Sequence, residues 1–527
     1  MPQASPTTSY NASRQNSITN DLKRTMPLRI GCCNTLAPLN GAHRTNQKYC
    51  RCFSRRILEA IFTLAININT ECGGDVWNLI KHVILIDIVG LEPKHLESEG
   101  LLPNLTHIAA GGAFSKIKPV FPAVTCTVQA SILSGKYPNE HGIVSNGLYD
   151  KDTYEVSFWE QASSLVQTER VWDLIKKKRP FGKTAVLFGQ QTMYSNADIV
   201  VTPRPLHMAD EMIMWCYSKP LGYYEKLRSK FGEFNLASYW GPRASQESSE
   251  WIVNASLDTL ENNRPDFMFT YIPHVDYSAQ KFGKNSNEVQ DDLRKADELV
   301  GRIVQKVIDL GMMEETLIFI FSEYPFSDVT ASVPLNQRLR DVNLLAVRNI
   351  HDKEYLDLEF SSAFAMVDHQ VAHIFAKRGF EDKTKKAIEN IDGVKSVLTL
   401  EDKRKLKIDH NSRSGDLIAV SEKDRWFSYG WWYDIQKAPK FTKTVDIHRK
   451  PGYDPLELFL DPKTKLISQD TSLIKGSHGL VQDSFEDEGY ALCISSRPIS
   501  NIQKSGISGQ DITSADLGRY IINLIVG

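Results

Sequence analysis

The sequence predicts an α/β protein built on a mainly parallel central sheet flanked by helices, with a small α+β insertion. Three observations carry that expectation. From about residue 80 short apolar runs alternate with segments of helical periodicity, the pattern of βαβ units. One such unit can be followed residue by residue between 266 and 324. A chain of 527 residues with 42% hydrophobic composition also has the material for an extended core or for two ordinary ones.

Taken in order, residues 1–58 carry nine Lys and Arg against one acid, Asp21, among many Ser, Thr, Asn and Gln. That bias marks residues 1–78 as a basic leader, either an organellar presequence or an untargeted tail. The run "ILEAIFTLAININ" (57–69) is too short for a membrane span and is interrupted by Glu59 and asparagines, so a soluble domain over 79–527 is expected. No secretory signal is recognisable, so the cytoplasm or an organelle is expected and secretion is not supported.

Five of the eight cysteines fall in the first 72 residues and none repeats at a zinc-ribbon spacing, which points to reduced thiols. With 62 Lys and Arg against 64 Asp and Glu, no net field would draw the chain to nucleic acid. A small molecule or another protein is the expected partner.

"HVILID" reads as the first strand, and "DFMFTYI" (266–272) as another. Val289, Leu293, Ala296, Val300, Ile303, Val307 and Leu310 recur at helical spacing before Gly311, which predicts a helix over 287–310. "TLIFIFSEY" (316–324) returns as the parallel partner strand. Residues 383–421, with "GVKSVLTL" and "GDLIAVS" as strands, are expected to form the α+β insertion.

Three of the apolar runs end in an acid: Asp87, Asp276 and Glu323. A carboxylate beside a buried strand needs a partner or a cation, and ligands of open α/β sheets bind at the carboxyl ends of strands. One such acid is ordinarily a helix cap or an ion-pair partner, whereas three in one domain suggest a shared cation site. Thr125, between "FPAV" and "CTVQASIL", sits where a strand-to-helix turn would present its hydroxyl near a helix N-terminus. A threonine there is either a plain N-cap or a hydroxyl that a metal activates as a nucleophile.

Strand–Asp, "PNL…GG", "FPAVT" and "GKYPNEHGIVSNG", in that order, resemble the nucleotide pyrophosphatase/phosphodiesterase branch of the alkaline phosphatase superfamily. The resemblance runs from about residue 80 to the C-terminus, is densest over 119–149, and is nearest to a divergent, mainly bacterial subgroup. It implies an alkaline-phosphatase-like fold and a hydrolase of phosphoric esters, with Thr125 as nucleophile and Asn146 on the phosphoryl oxygen. It also implies a small phosphate ester or nucleotide-like substrate and one or two divalent cations. Asp87, Thr125, Asp276, Glu323 and His478 map onto the family's metal positions.

Three positions depart. Gln280 stands where the family has histidine four residues after its Asp, and "SEYP", with Glu323 and Tyr324, replaces "SDHG". Zinc is expected from the family. Amide, phenol and carboxylate donors suit Mg, Mn or Ca better, or bind poorly. The same departures leave open a non-catalytic or altered-chemistry member that binds a phosphorylated or sulfated metabolite or a partner protein.

Other polar clusters supply weaker candidates. "VDHQVAHIF" brings together Asp368, His369 and His373, and on a helix the two histidines, at i and i+4, could share a metal. A half-buried helix with satisfied histidines explains them equally. "VDIHRKPGYDP" offers His448 as an imidazole and Lys450 as a cation for phosphate, or forms a charged surface loop. "YGWWYD" (429–434) is expected to pack in the core rather than stack on a base.

Overall fold

The computed structural model describes residues 80–208, 211–481, 489–498 and 512–526. The leader read at 1–78 and the five cysteines in it lie outside the described residues. Among the described residues, nine strands form one sheet. In chain order they are β1 (His82–Ile88), β2 (Ala113–Lys118), β3 (Thr184–Leu187), β4 (Ile199–Pro203), β5 (Cys216–Lys219), β6 (Phe267–Ile272), β7 (Thr316–Phe321), β12 (Ala491–Ser495) and β13 (Ile512–Thr513), with β8–β11 in a second sheet. Their spatial order is β13-β2-β12-β7-β1-β6-β3-β4-β5.

The centre is parallel. β1 lies between β6 and β7, with Asp87 paired to Tyr271 on one side and to Phe321 on the other. β3 and β4 continue the parallel run, while β5 and β12 pair antiparallel. β1, β6 and β7 are buried along nearly their whole length, as strands covered by helices on both faces must be.

The helices follow from the same patterning. Within the expected 287–310 segment a helix runs Asn287–Asp309, capped by the Ser286 hydroxyl, which accepts from the Val289 N–H. Its periodic face, from Val289 to Val307, is buried against the sheet, and Gly311 at φ +66° lies just beyond its end. Helix α1 (Thr125–Ser134) is different: every one of its residues is buried, so its N-terminus meets no bulk water.

The second sheet has four antiparallel strands: β8 (Ala363–Asp368), β9 (Val371–Ala376), β10 (Val394–Leu398) and β11 (Leu417–Ser421), in the order β8-β9-β11-β10. Residues 383–421 supply two of these strands, and the hairpin 363–376 supplies the other two. "VDHQVAHIF" is therefore not a helix. It is the end of β8, a two-residue turn at His369 and Gln370, and β9. A cluster of Phe121, Val144, Val371, Ile418 and Val420 seats this accessory sheet on the loop that leads into α1. Among the described residues no helix is long and apolar enough to cross a membrane, and Cys126, Cys216 and Cys493 are free and buried.

Candidate active site

Asp87 is the last residue but one of β1, Glu323 follows β7 by two residues, and Asp276 lies in the first turn of the helix Val275–Phe282 that follows β6. Parallel neighbours therefore deliver three acids to one end of the sheet, and α1 places Thr125 there as its first residue. Thr125, Asp276, Tyr324 and His478 line one pocket, together with His369 and His448.

One half of the site is built of oxygen. Asp87 and Glu323 are fully buried, yet Asp87 Oδ1 and both carboxylate oxygens of Glu323 have no hydrogen-bond partner. The other oxygen of Asp87 accepts from Gln129 Nε2 at 3.1 Å, and Gln129 Oε1 in turn accepts from the Gln190 N–H. Burial pushes Glu323 up to about 7. Burial, and then the neighbouring Glu323 charge, raise Asp87 well above the usual carboxylate range. The Thr125 hydroxyl lies 2.9 Å from the Tyr324 hydroxyl, which stands where the family has an imidazole.

The other half mixes oxygen and nitrogen. Asp276 Oδ2 accepts from Gln280 Nε2 at 2.7 Å, and Gln280 Oε1 accepts from the Tyr453 hydroxyl at 2.8 Å. Gln280 is thus spent on holding its neighbours. Asp276 Oδ1 is buried without a hydrogen-bond partner, 3.9 Å from His478 Nε2, and burial lifts this carboxyl to about 8. His478 Nδ1 donates to the Ala123 carbonyl at 2.8 Å, which leaves Nε2 with its lone pair. Burial, and then the neighbouring His369, hold this imidazole well below its ordinary pKa. Tyr324, His478, His369 and Tyr453 form one column of rings, with successive centroids 3.6, 3.7 and 3.7 Å apart.

Asn146 has both ends in use. Its Oδ1 accepts from the Cys126 N–H at 2.9 Å and its Nδ2 donates to Asp368 Oδ1 at 3.1 Å. The N–H that follows Thr125 is consequently committed to Asn146, and the second hydrogen on Nδ2 is the donor that remains for a phosphoryl oxygen. Asp368 also accepts from the Ser145 hydroxyl, from the Asn146 N–H and from His369. Burial opposes its charge, but these bonds outweigh burial and keep its pKa low.

The weaker candidates separate. His373 binds the Val144 carbonyl and the Gly415 N–H with its two ring nitrogens, so neither is free for a metal. Lys450 is buried between Asp454 and Glu457, 2.7 Å from each, and holds the 445–458 strap together instead of facing the pocket. His448 reaches the pocket wall with Nδ1 on the Phe158 carbonyl. Tyr429 and Trp431 are core residues, as expected of "YGWWYD". Sequence motifs gave no sign of Gln129, Gln190, Trp159, Trp240 or Tyr453, which the fold brings in from five separate segments.

A model of the type I phosphodiesterase/nucleotide pyrophosphatase family matches residues 83–454. The chain belongs to that family. It is 26% identical over 272 residues to ectonucleotide pyrophosphatase/phosphodiesterase family member 1 of Rattus norvegicus, covering 50% of this chain and 26% of the relative. A venom phosphodiesterase of Macrovipera lebetinus is also 26% identical, over 42% of this chain and 23% of its own. The chain thus spans about a quarter of the length of these curated relatives.

Among solved structures, the phosphonoacetate hydrolase of Sinorhizobium meliloti 1021 in complex with phosphonoacetate superposes with a TM-score of 0.53 at 17% identity, over 84% of this chain and 95% of that one. Murine ectonucleotide pyrophosphatase/phosphodiesterase 5 in complex with AMP gives 0.53 at 13% identity, again over 84% and 95%. These likenesses support the shared fold. His478 lies beyond the matched stretch and reaches the site through the fold.

A two-zinc site of the family's own ligands does not fit this chain, because positions 280 and 324 carry no imidazole. Among the described residues no group of three or more His, Cys, Asp or Glu side chains could hold a metal ion as they stand. A single hard cation fits the oxygen half. Asp87 and Glu323 there present three unpartnered buried oxygens next to the Thr125 hydroxyl, a set that suits Mg, Mn or Ca.

Proposed function

We propose that the chain is a divalent-cation-dependent hydrolase of phosphodiester bonds with Thr125 as nucleophile. The supporting observation is the position of its hydroxyl: first residue of a fully buried helix, lining the pocket, beside two buried carboxyl groups with unanswered oxygens. A cation held by Asp87, Glu323 and Thr125 would supply charge neutralisation and lower the pKa of the hydroxyl.

Thr125 Oγ1 forms the new bond to phosphorus as the ester P–O bond breaks, and the leaving alcohol departs with a proton. Water then cleaves the phosphothreonine. Asn146 Nδ2, anchored by Asp368, offers its second hydrogen to a non-bridging oxygen as charge develops there. Tyr324 holds the Thr125 side chain in place through its hydroxyl.

The pocket indicates the substrate. Trp159, Tyr239, Trp240, Tyr277 and Tyr453 form its walls with Leu236 and Ile447, and among the described residues no Lys or Arg lines it. A diester carrying one negative charge and a flat or apolar group suits those walls. A nucleoside triphosphate would bring several charges with no side-chain cation among the described residues to meet them.

Turnover of bis(p-nitrophenyl) phosphate in Mg, Mn, Ca or Zn tests this, with Thr125→Ala as control. Loss of the nucleophile is expected to lower kcat by at least about 10³-fold while the fold is retained. Wild-type rates no higher than the control in every metal would overturn the proposal and favour the binding-only alternative, to which Gln280 and Tyr324 point.

A further inference from the structure

The aromatic stretch 429–434 does not spend all its rings on the core. Tyr429 and Trp431 belong to the core, but Trp432 is half-buried and, with Tyr429, lines a second cavity of about 260 Å³. Small-molecule sites begin at about that size. Among the described residues this cavity shares no lining residue with the catalytic pocket.

Its walls come from segments that lie far apart in the sequence. Strand Ala331–Val333 runs parallel to Arg425–Phe427 with Ser332 paired to Trp426, and the 445–458 strap adds Asp454 and Leu456. Gly430 leaves room for Trp432, since a Cβ there would come within 3.2 Å of the indole ring. Tyr429 and Trp432 meet edge to face, 5.7 Å between centroids, so two aromatic groups stand in fixed positions on the wall.

The polar groups of the lining suit a neutral ligand. The Trp426 indole N–H is buried with no partner, and such a donor is costly until an oxygen answers it. Gln469 spends both hydrogens of its amide on the Thr442 and Ser468 carbonyls, and Gln337 donates to the Trp432 carbonyl. Each amide is thus held by its nitrogen, which leaves the oxygens to accept. Ser332 and Ser428 add hydroxyls.

Asp454 is the single charged side chain of the lining among the described residues, and Lys450 answers it at 2.7 Å. An anion would therefore find no cation there, and a cation would have to take Asp454 from Lys450. A hydroxyl both donates and accepts, so one kind of group satisfies the amide oxygens and the indole N–H alike. The apolar C–H face of a sugar ring matches the aromatic wall.

We propose that this cavity is a second binding site, for a neutral sugar. The ring lies on Tyr429 and Trp432, and its hydroxyls meet Trp426 Nε1, Gln337, Gln469 and Ser428. Tyr453, one residue before Asp454, lines the catalytic pocket, so the strap parts the two sites.

Saturation-transfer nuclear magnetic resonance on the full chain tests this, with maltose and methyl β-glucoside as probes. At about 10 mM probe, above the roughly millimolar Kd of a small neutral ligand, transfer to the sugar ring protons is expected. Thr125→Ala should leave it unchanged, which separates this site from hydrolysis. Trp426→Phe keeps an aromatic ring without the N–H and should weaken binding by about 10-fold. Ser428→Leu fills the cavity from a half-buried position and should abolish transfer. Glucuronate, an anionic sugar, should bind more weakly than the glucoside.

No transfer to either neutral probe overturns the proposal. So does transfer of undiminished strength in folded Ser428→Leu, which would put the sugar elsewhere, or a preference for glucuronate. Ser428→Leu alters no core side chain, so the test decides the matter even where Trp426→Phe does not fold.

Discussion

The two halves of the site have each lost one imidazole relative to the family pattern, and they differ in what took its place. At position 324 the replacement is a phenol that hydrogen-bonds Thr125, and the half around Asp87 and Glu323 remains purely oxygen. At position 280 the replacement is an amide that holds Asp276 and Tyr453, and Asp276 keeps one histidine, His478, 3.9 Å away. The difference teaches that a substituted ligand position can be spent on positioning its neighbours instead of on binding. The half around Asp87 and Glu323 offers oxygen alone, whereas the half around Asp276 retains an imidazole, a softer donor.

The comparison breaks most visibly at Glu323. Glu323→Gln is expected to lower phosphodiester turnover by about 10²–10³-fold, because the oxygen half loses a charged ligand. In metal-free protein the same change is expected to raise stability by about 1–3 kcal/mol, since the new amide can donate to the unpartnered Asp87 Oδ1. Thermal unfolding in chelator reads this directly, and a lower Tm would show that the two carboxyls are not in conflict.

A second expectation sharpens it through pH. Glu323 is raised to about 7 and Asp276 to about 8, both above their unfolded values, so the folded protein binds more protons than the unfolded chain in the window between. Stability of the metal-free protein is therefore greatest in mild acid and falls as pH rises toward about 8, by up to about 1.4 kcal/mol per pH unit for each carboxyl. Cations compete with those protons, so Mg or Zn should flatten the decline. A metal-free Tm that rises from pH 5.5 to 8 would contradict the burial of these acids.

Much of this was legible beforehand. The central strands and the 287–309 helix followed from periodicity, and Asp87, Asp276 and Glu323 could be read because a strand that ends in an acid is a local pattern. Thr125 needed the family resemblance as well, because its flanking turn alone reads equally as a plain N-cap. The helix expected for His369 and His373 is a hairpin instead. Spacing alone cannot distinguish a helix face from a hairpin when "VDHQVAHIF" is apolar on both sides of the polar run Asp368–Gln370, and a two-residue turn at His369–Gln370 without glycine or asparagine gives no turn signal. Gln129 and Tyr453 could not have been found, because a carboxamide or a phenol in the sequence does not disclose which buried carboxylate or amide it will meet.

The smallest effect separates the two histidines of that hairpin. His373→Gln keeps a polar side chain near the Val144 carbonyl and the Gly415 N–H, so a loss of about 1 kcal/mol in stability is expected, with turnover unchanged. A change in kcat would return His373 to the site.

The column of four rings has an optical consequence. Two tyrosines and two histidines stacked within a buried pocket place the phenols in a fixed asymmetric surround, the condition for strong near-ultraviolet circular dichroism, a signal that survives only while packing is specific. Because Tyr324 follows a central strand and His369 belongs to the accessory sheet, the column's share of that signal, read as the difference from Tyr324→Phe since the other tyrosines and tryptophans contribute too, reports whether the smaller sheet is seated on the larger.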